Sequence, residues 1–70
     1  SQLDMLRNHF SQTTSITGVE AAAIYKIRAL PRRISDLEAQ GWSFDRVWKT
    51  DTSGQRYKRY TVLTIPAKME

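Results

Sequence analysis

The hydrophobic period changes at Gly41, and that change confines the chain to helix first and strand after. Before it, Leu30, Ile34 and Leu37 recur at i, i+4 and i+7, an apolar stripe along one helix face. After it, "WSFDRVWKT" and "RYKRYTVLTI" are rich in aromatic and β-branched residues and alternate with a period near two. Gly41 suits the left-handed residue that stops a helix. The "DTSGQ" segment between the two strand runs reads as a loop, with Gly54 as its positive-φ residue. A hairpin is therefore expected over about 42–65, ended by Pro66, with the closing "AKME" frayed.

Upstream, "QLDMLRNHFSQ" sets Leu3, Leu6 and Phe10 at i, i+3 and i+7, which predicts a helix over about 2–11. The hydroxyl-rich "SQTTSITG" that follows is a loop, in which Ile16 can pin a very short strand. Thr17 and Glu20 make a capping box and open a second helix over about 17–25. Val19, Ala22 and Ala23 are expected to be its small buried residues. A third helix is expected over about 28–40, beginning near Arg28 or Ala29. Pro31 is acceptable there, because the first turn of a helix has N–H groups without internal partners. The reading is α+β: three helices followed by a two-stranded β-hairpin wing, the order of a winged helix-turn-helix. Residues 1–70 are expected to form a single domain with a small core.

Several function classes find no support in the residues. There is no cysteine, hence no disulfide and no thiolate metal site, which fits a reducing compartment. The lone histidine, His9, excludes a multi-histidine site within one chain and reads as a surface or boundary residue. No apolar run approaches a membrane span. No nucleophile–base pair, phosphate-cradling glycine loop or metal-ligand spacing is present, so neither an enzyme nor a cofactor is expected.

Charge placement says more than the net +4. Eight of the eleven Lys and Arg residues fall in two windows. Lys26, Arg28, Arg32 and Arg33 precede or open the third helix, and Lys49, Arg56, Lys58 and Arg59 lie around the hairpin. A charge run can be no more than a solvated face. A helix built only for stability, however, favours acids at its N-terminus, because the macrodipole is positive there. Cations at that end suit phosphate contact, and an arginine at the front of such a helix can bind guanine through two hydrogen bonds. With Leu30, Ile34 and Leu37 inward, Arg28, Arg32 and Ser35 fall on the outer face and Arg33 on a flank. Lys49, Gln55, Arg56 and Lys58 supply the wing contacts, while Arg59 points to the other face. Trp42, Phe44 and Trp48 are expected to pack the hairpin on the third helix. Trp48, if exposed, would mark a partner surface.

The segment "RISDLEAQGWSF" resembles small helix-turn-helix domains common in bacteriophages and prophages. Arg33, Ile34, Leu37, Gly41, Trp42 and Phe44 stand at that family's positions. "SITGVEAAAIYKI" is similar to its second helix, and "KRYTVL" to its closing strand. Pro31 and the wing loop depart from the pattern. The resemblance implies a regulator that binds double-stranded DNA in a bacterial cytoplasm: a repressor or Cro-like protein, or an excisionase-like recombination factor. The expected partners are a DNA duplex and a second copy of the chain, paired through the hairpin or the first helix. No membrane and no small-molecule ligand are expected. The alternative is a protein-binding module on the same fold, favoured if Asp36, Glu38 and Asp45 tie up the basic residues.

Overall fold

Residues 1–67 are described by the computed structural model, so most of the expected frayed end lies outside the described residues. The first helix, α1 (Gln2–Gln12), starts where the Ser1 hydroxyl accepts the Asp4 N–H at 3.3 Å, and it buries Leu6 and Phe10. A three-residue strand, β1 (Ser15–Thr17), follows. Then come α2 (Gly18–Tyr25), α3 (Leu30–Ala39), β2 (Ser43–Thr50) and β3 (Arg56–Thr64). The strands form one antiparallel sheet in the order β1-β3-β2. The expected hairpin is therefore present, with β1 as a third strand on the far side of β3.

The strand β1 is short but fixed from several sides. Ile16 lies opposite Tyr60, and both are buried. The Val62 N–H donates to the Thr14 carbonyl at 2.8 Å. His9, expected at the boundary, is half-buried and joins three elements. Its Nε2 lies 2.8 Å from the Ser15 carbonyl, so that nitrogen is the donor, and its Nδ1 accepts from the Tyr25 hydroxyl at 2.7 Å. Thr17, the last β1 residue, caps α2. The Glu20 N–H donates to its Oγ1 (3.1 Å), while Glu20 Oε1 accepts the Thr17 N–H (2.9 Å).

That cap sets the phase of α2, and the phase overturns one expectation. Ala21 is the buried residue of α2, with Tyr25 one turn on and partly buried against the core. Val19, Ala22 and Ala23 are exposed, and so is Ile24. The helix begins with Gly18 as its first residue, which turns the alanine run outward. It ends at Lys26, whose φ of 61° is left-handed, and the Ile27 N–H closes back onto the Ala21 carbonyl at 3.1 Å. Ile27 is thereby driven into the core.

The third helix begins at Leu30, later than the expected Arg28. Proline explains the shift. A helix starting at Arg28 would put Pro31 in its fourth position, with the ring against the carbonyl of Ile27. Starting at Leu30 places Pro31 second, where its missing N–H costs nothing. Arg28 accordingly lies in the turn between α2 and α3, not on the helix. At the other end the Trp42 N–H reaches the Leu37 carbonyl (3.2 Å) and the Gly41 N–H the Glu38 carbonyl (3.1 Å). This is a Schellman closure with Gly41 at φ 100°. Trp42 and Leu37, at the two ends of that closure, are both buried.

Leu30, Ile34 and Leu37 of α3 meet Leu6 and Phe10 of α1 in the core. Phe10 also contacts the foot of the hairpin, with ring centroids 5.3 Å from Phe44 and 6.0 Å from Trp42. Beyond Phe44 the strand β2 leaves the core, and every residue from Asp45 to Thr50 is exposed, while Tyr60 of β3, opposite Arg46, is still buried. Its loop is organised by Asp51, whose carboxylate accepts N–H groups from Ser53 (2.9 Å) and Gln55 (3.0 Å). Gly54 takes φ 86° there.

Replacing Gly41 with alanine should lower stability by about 1–2 kcal/mol, because an L side chain is strained at that φ; urea denaturation measures it. A second expectation concerns acid. Glu20 is partly desolvated, which opposes its charge. Hydrogen bonds from Arg59 and Thr17 outweigh this and hold its carboxyl below the ordinary 4.5. The stability it contributes is full above that ordinary value and is lost as pH falls through the lower folded value. Glu20→Gln, which keeps the capping geometry, should cost from a few tenths to about 1 kcal/mol at pH 7, given the solvent exposure of the pair. It should also flatten the acid limb of a stability–pH curve.

Candidate nucleic-acid interface

The ion pairs divide the basic residues into two sets. Arg7 is held by Asp4 at 2.8 Å and also donates to the Gln40 side chain. Arg46 grips Glu38 through two hydrogen bonds, at 2.9 and 3.0 Å, tying β2 to α3. The same contact lowers the Glu38 carboxyl and raises the Arg46 guanidinium. Arg59 reaches Glu20 at 3.2 Å and the Ser15 hydroxyl at 2.9 Å, joining β3, α2 and β1. Lys26, Arg28, Lys49, Arg56 and Lys58 form no ion pair among the described residues. All five are candidates picked out from the sequence.

The left-handed closure of α2 brings the first two together. Lys26 and Arg28 are exposed and line a common recess with Ala22. Arg32 stands on the solvent face of α3, 73% exposed, with its Nε 3.7 Å from Asp36. That separation is too long for a hydrogen bond, so an incoming phosphate or base can compete for the guanidinium. Arg33 is less available. Its side chain is 29% exposed and its Nε is buried 3.2 Å from Asp36, without a well-aligned acceptor. Ser35 is exposed on the same helix.

Strand register decides where the wing residues point. Residues directly opposite in an antiparallel pair share a face. Trp48 pairs with Lys58 and Thr50 with Arg56, on the face that carries the buried Phe44 and Tyr60 further down. Lys49 pairs with Tyr57 and lies on the other face, as does Arg59 opposite Val47. Lys49 is therefore separated from Arg56 and Lys58 by the thickness of the sheet. Gln55 is exposed in the loop, where its backbone closes the turn.

Trp48 organises the wing cations. It is 56% exposed, with the Arg56 guanidinium 4.8 Å and the Lys58 ammonium 5.2 Å from its ring. Such contacts hold two long side chains in place without neutralising them. A groove of about 330 Å³ runs from Trp48 and Lys58 past Tyr57 to Leu30 and Pro31 at the start of α3 and to Gly18 and Val19 at the start of α2. Wing and third helix thus meet at the N-terminal end of α3, which Arg28 and Arg32 bracket in sequence. Val19, Pro31 and Tyr57 were not singled out from the sequence as walls of this groove. They are apolar or aromatic residues whose exposure only the tertiary arrangement reveals.

A cavity of about 580 Å³ lies elsewhere, between α1 and the segment after β3, and the one cation among its described lining residues is the paired Arg7. Among the described residues no group of His, Cys, Asp and Glu could hold a metal ion, and no helix is long and apolar enough to cross a membrane.

Neither the curated proteins nor the solved structures searched contain a match to the chain. A family model described as a winged helix-turn-helix domain matches residues 1–64. The match spans every helix and strand described above, and the chain belongs to the winged helix-turn-helix family, a DNA-binding kind of domain.

Proposed function

We propose that this chain is a sequence-specific reader of double-stranded DNA, a transcriptional regulator of phage or prophage type rather than an enzyme. The observation that carries the reading is the sorting of its cations. Asp4, Glu20 and Glu38 pair with arginines that hold the fold, Asp36 lies beside Arg32 and Arg33, and the cations without an ion pair among the described residues gather in the helix-turn-helix turn and the wing. In this reading α3 enters the major groove and presents Arg32 and Ser35 to base edges. Lys26 and Arg28 grip phosphates beside it, and Arg56 and Lys58, braced on Trp48, grip phosphates along the wing. Lys49 and Gln55 contribute from the outer face and the loop, and Arg33, whose side chain is 29% exposed, contributes less than Arg32. Phosphate contacts position the domain and base contacts specify the site.

Residues 1–70 act here as one domain, in a bacterial cytoplasm and without a cofactor. One module this small has modest affinity, so two copies are expected on a two-fold or tandem site. A role in recombination, as an architectural or directionality factor, would use the same contacts with a different consequence. Protein binding is the second reading, and the proximity of Asp36 to both Arg32 and Arg33 is what favours it.

Selection from a random duplex pool at several salt concentrations tests the reading. A steep loss of binding with salt and an enriched motif are expected. Retention without a motif would leave an architectural binder, and no retention at low salt would leave protein binding. Arg32→Ala should lower preference for the selected site by about 1–3 kcal/mol. Lys58→Ala should weaken all sequences about equally and reduce the salt slope by about one unit. Equal losses for both variants on all DNA would remove base reading from α3.

A further inference from the structure

In the order β1-β3-β2 the outer edge of β2 is unpaired among the described residues. Edge strands ordinarily carry charges that repel a second strand. Those on β2 are arranged so that one particular strand is matched rather than repelled. Past the irregularity at Ser43 and Phe44, the stretch 44–50 runs in unbroken register, and its midpoint is Val47. Laid antiparallel against its own copy about a two-fold axis through Val47, the strand sets Asp45 opposite Lys49 of the second copy, and Lys49 opposite the second Asp45. Val47 meets Val47 of the second copy, and Arg46 meets Trp48.

The faces agree as well as the charges. Asp45, Val47 and Lys49 share the outer face of the sheet, so both ion pairs and the valine contact fall on one side. Asp45 and Lys49 are exposed and neither has an ion pair among the described residues. Val47 and Trp48 are large apolar groups left in solvent. Backbone parity poses no obstacle, since Arg46 and Trp48 lie two apart and present their N–H and C=O groups in the same sense.

We propose that the β2 edge is a self-association surface whose occupant is β2 of a second copy, joining two three-stranded sheets into one of six strands. This rests on the pairing of copies proposed above, not on DNA recognition. Edge pairing covers neither face of the sheet, so Arg56, Lys58 and α3 remain accessible in each copy, while Lys49 then serves the contact between copies and not phosphate.

Charge exchange tests it in the absence of DNA. Sedimentation equilibrium of the 70-residue chain at low salt compares the unaltered sequence with Asp45→Lys, Lys49→Asp and the double exchange, each checked for folding by circular dichroism. Each single change puts like charges opposite one another twice per dimer and should weaken association at least about tenfold. The double exchange is self-complementary again and should restore it. Folded single variants that associate as well as the unaltered chain would overturn the edge proposal while leaving dimerisation through another surface. A double variant that is folded but fails to recover would overturn the register. A chain that stays monomeric throughout would remove both the edge and the pairing.

Discussion

The three residues of β1 are the constraint on which the arrangement depends. Ile16 opposite Tyr60 closes the sheet into the core. The Ser15 carbonyl and hydroxyl receive His9 from α1 and Arg59 from β3. Thr17 then caps α2 and fixes which residue of that helix faces inward. The phase of α2 sets the left-handed closure at Lys26, and the closure delivers Ile27 to the core and Arg28 to solvent. The direction of α3 is thus fixed by a strand too short to be stable by itself, held by α1, α2 and β3 at once.

Charge follows the same economy. Each arginine that joins two elements has an acid partner: Arg46 with Glu38 between β2 and α3, Arg59 with Glu20 between β3 and α2. Such exposed pairs contribute little stability individually. Their larger effect is to keep those acids away from the remaining bases. Lys26, Arg28, Arg56 and Lys58 therefore keep their full field toward an anionic partner. The Trp48 ring orders two of them without cancelling charge, which lowers the entropy cost of a later contact.

Much of this was legible in the sequence because the signals are local. The capping box at Thr17, the glycine stop at Gly41 and the loop with Gly54 each follow from the conformational range of one residue or a reciprocal pair of hydrogen bonds. Both strands of the hairpin follow from their period. What was not legible depends on phase and on distant partners. The alanine run of α2 reads as a buried face, yet Ala21 alone is inside, because a shift of one residue rotates a helix by about 100°. Arg28 reads as helical until the ring of Pro31 is placed in the first turn. Lys49 and Arg56 are close in sequence across the loop, but strand register puts them on opposite faces. Of the candidate site, the residue types were readable and their sides were not.

The molecule measures 47 × 22 × 21 Å, and its long dimension comes with a hairpin whose strand β2 leaves the core after Phe44. Beyond the buried Tyr60 and the ion pair of Arg46 with Glu38, the tip from Thr50 to Arg56 is exposed throughout, so its backbone amides should open by local fraying while those around Ile16 and Tyr60 open only with the whole fold. The end of the arm that carries Arg56 is therefore the part of the hairpin with the least packing to hold it. Any partner gripped there takes up part of the folding of the wing, and its residence time is coupled to how often the ribbon tip comes apart.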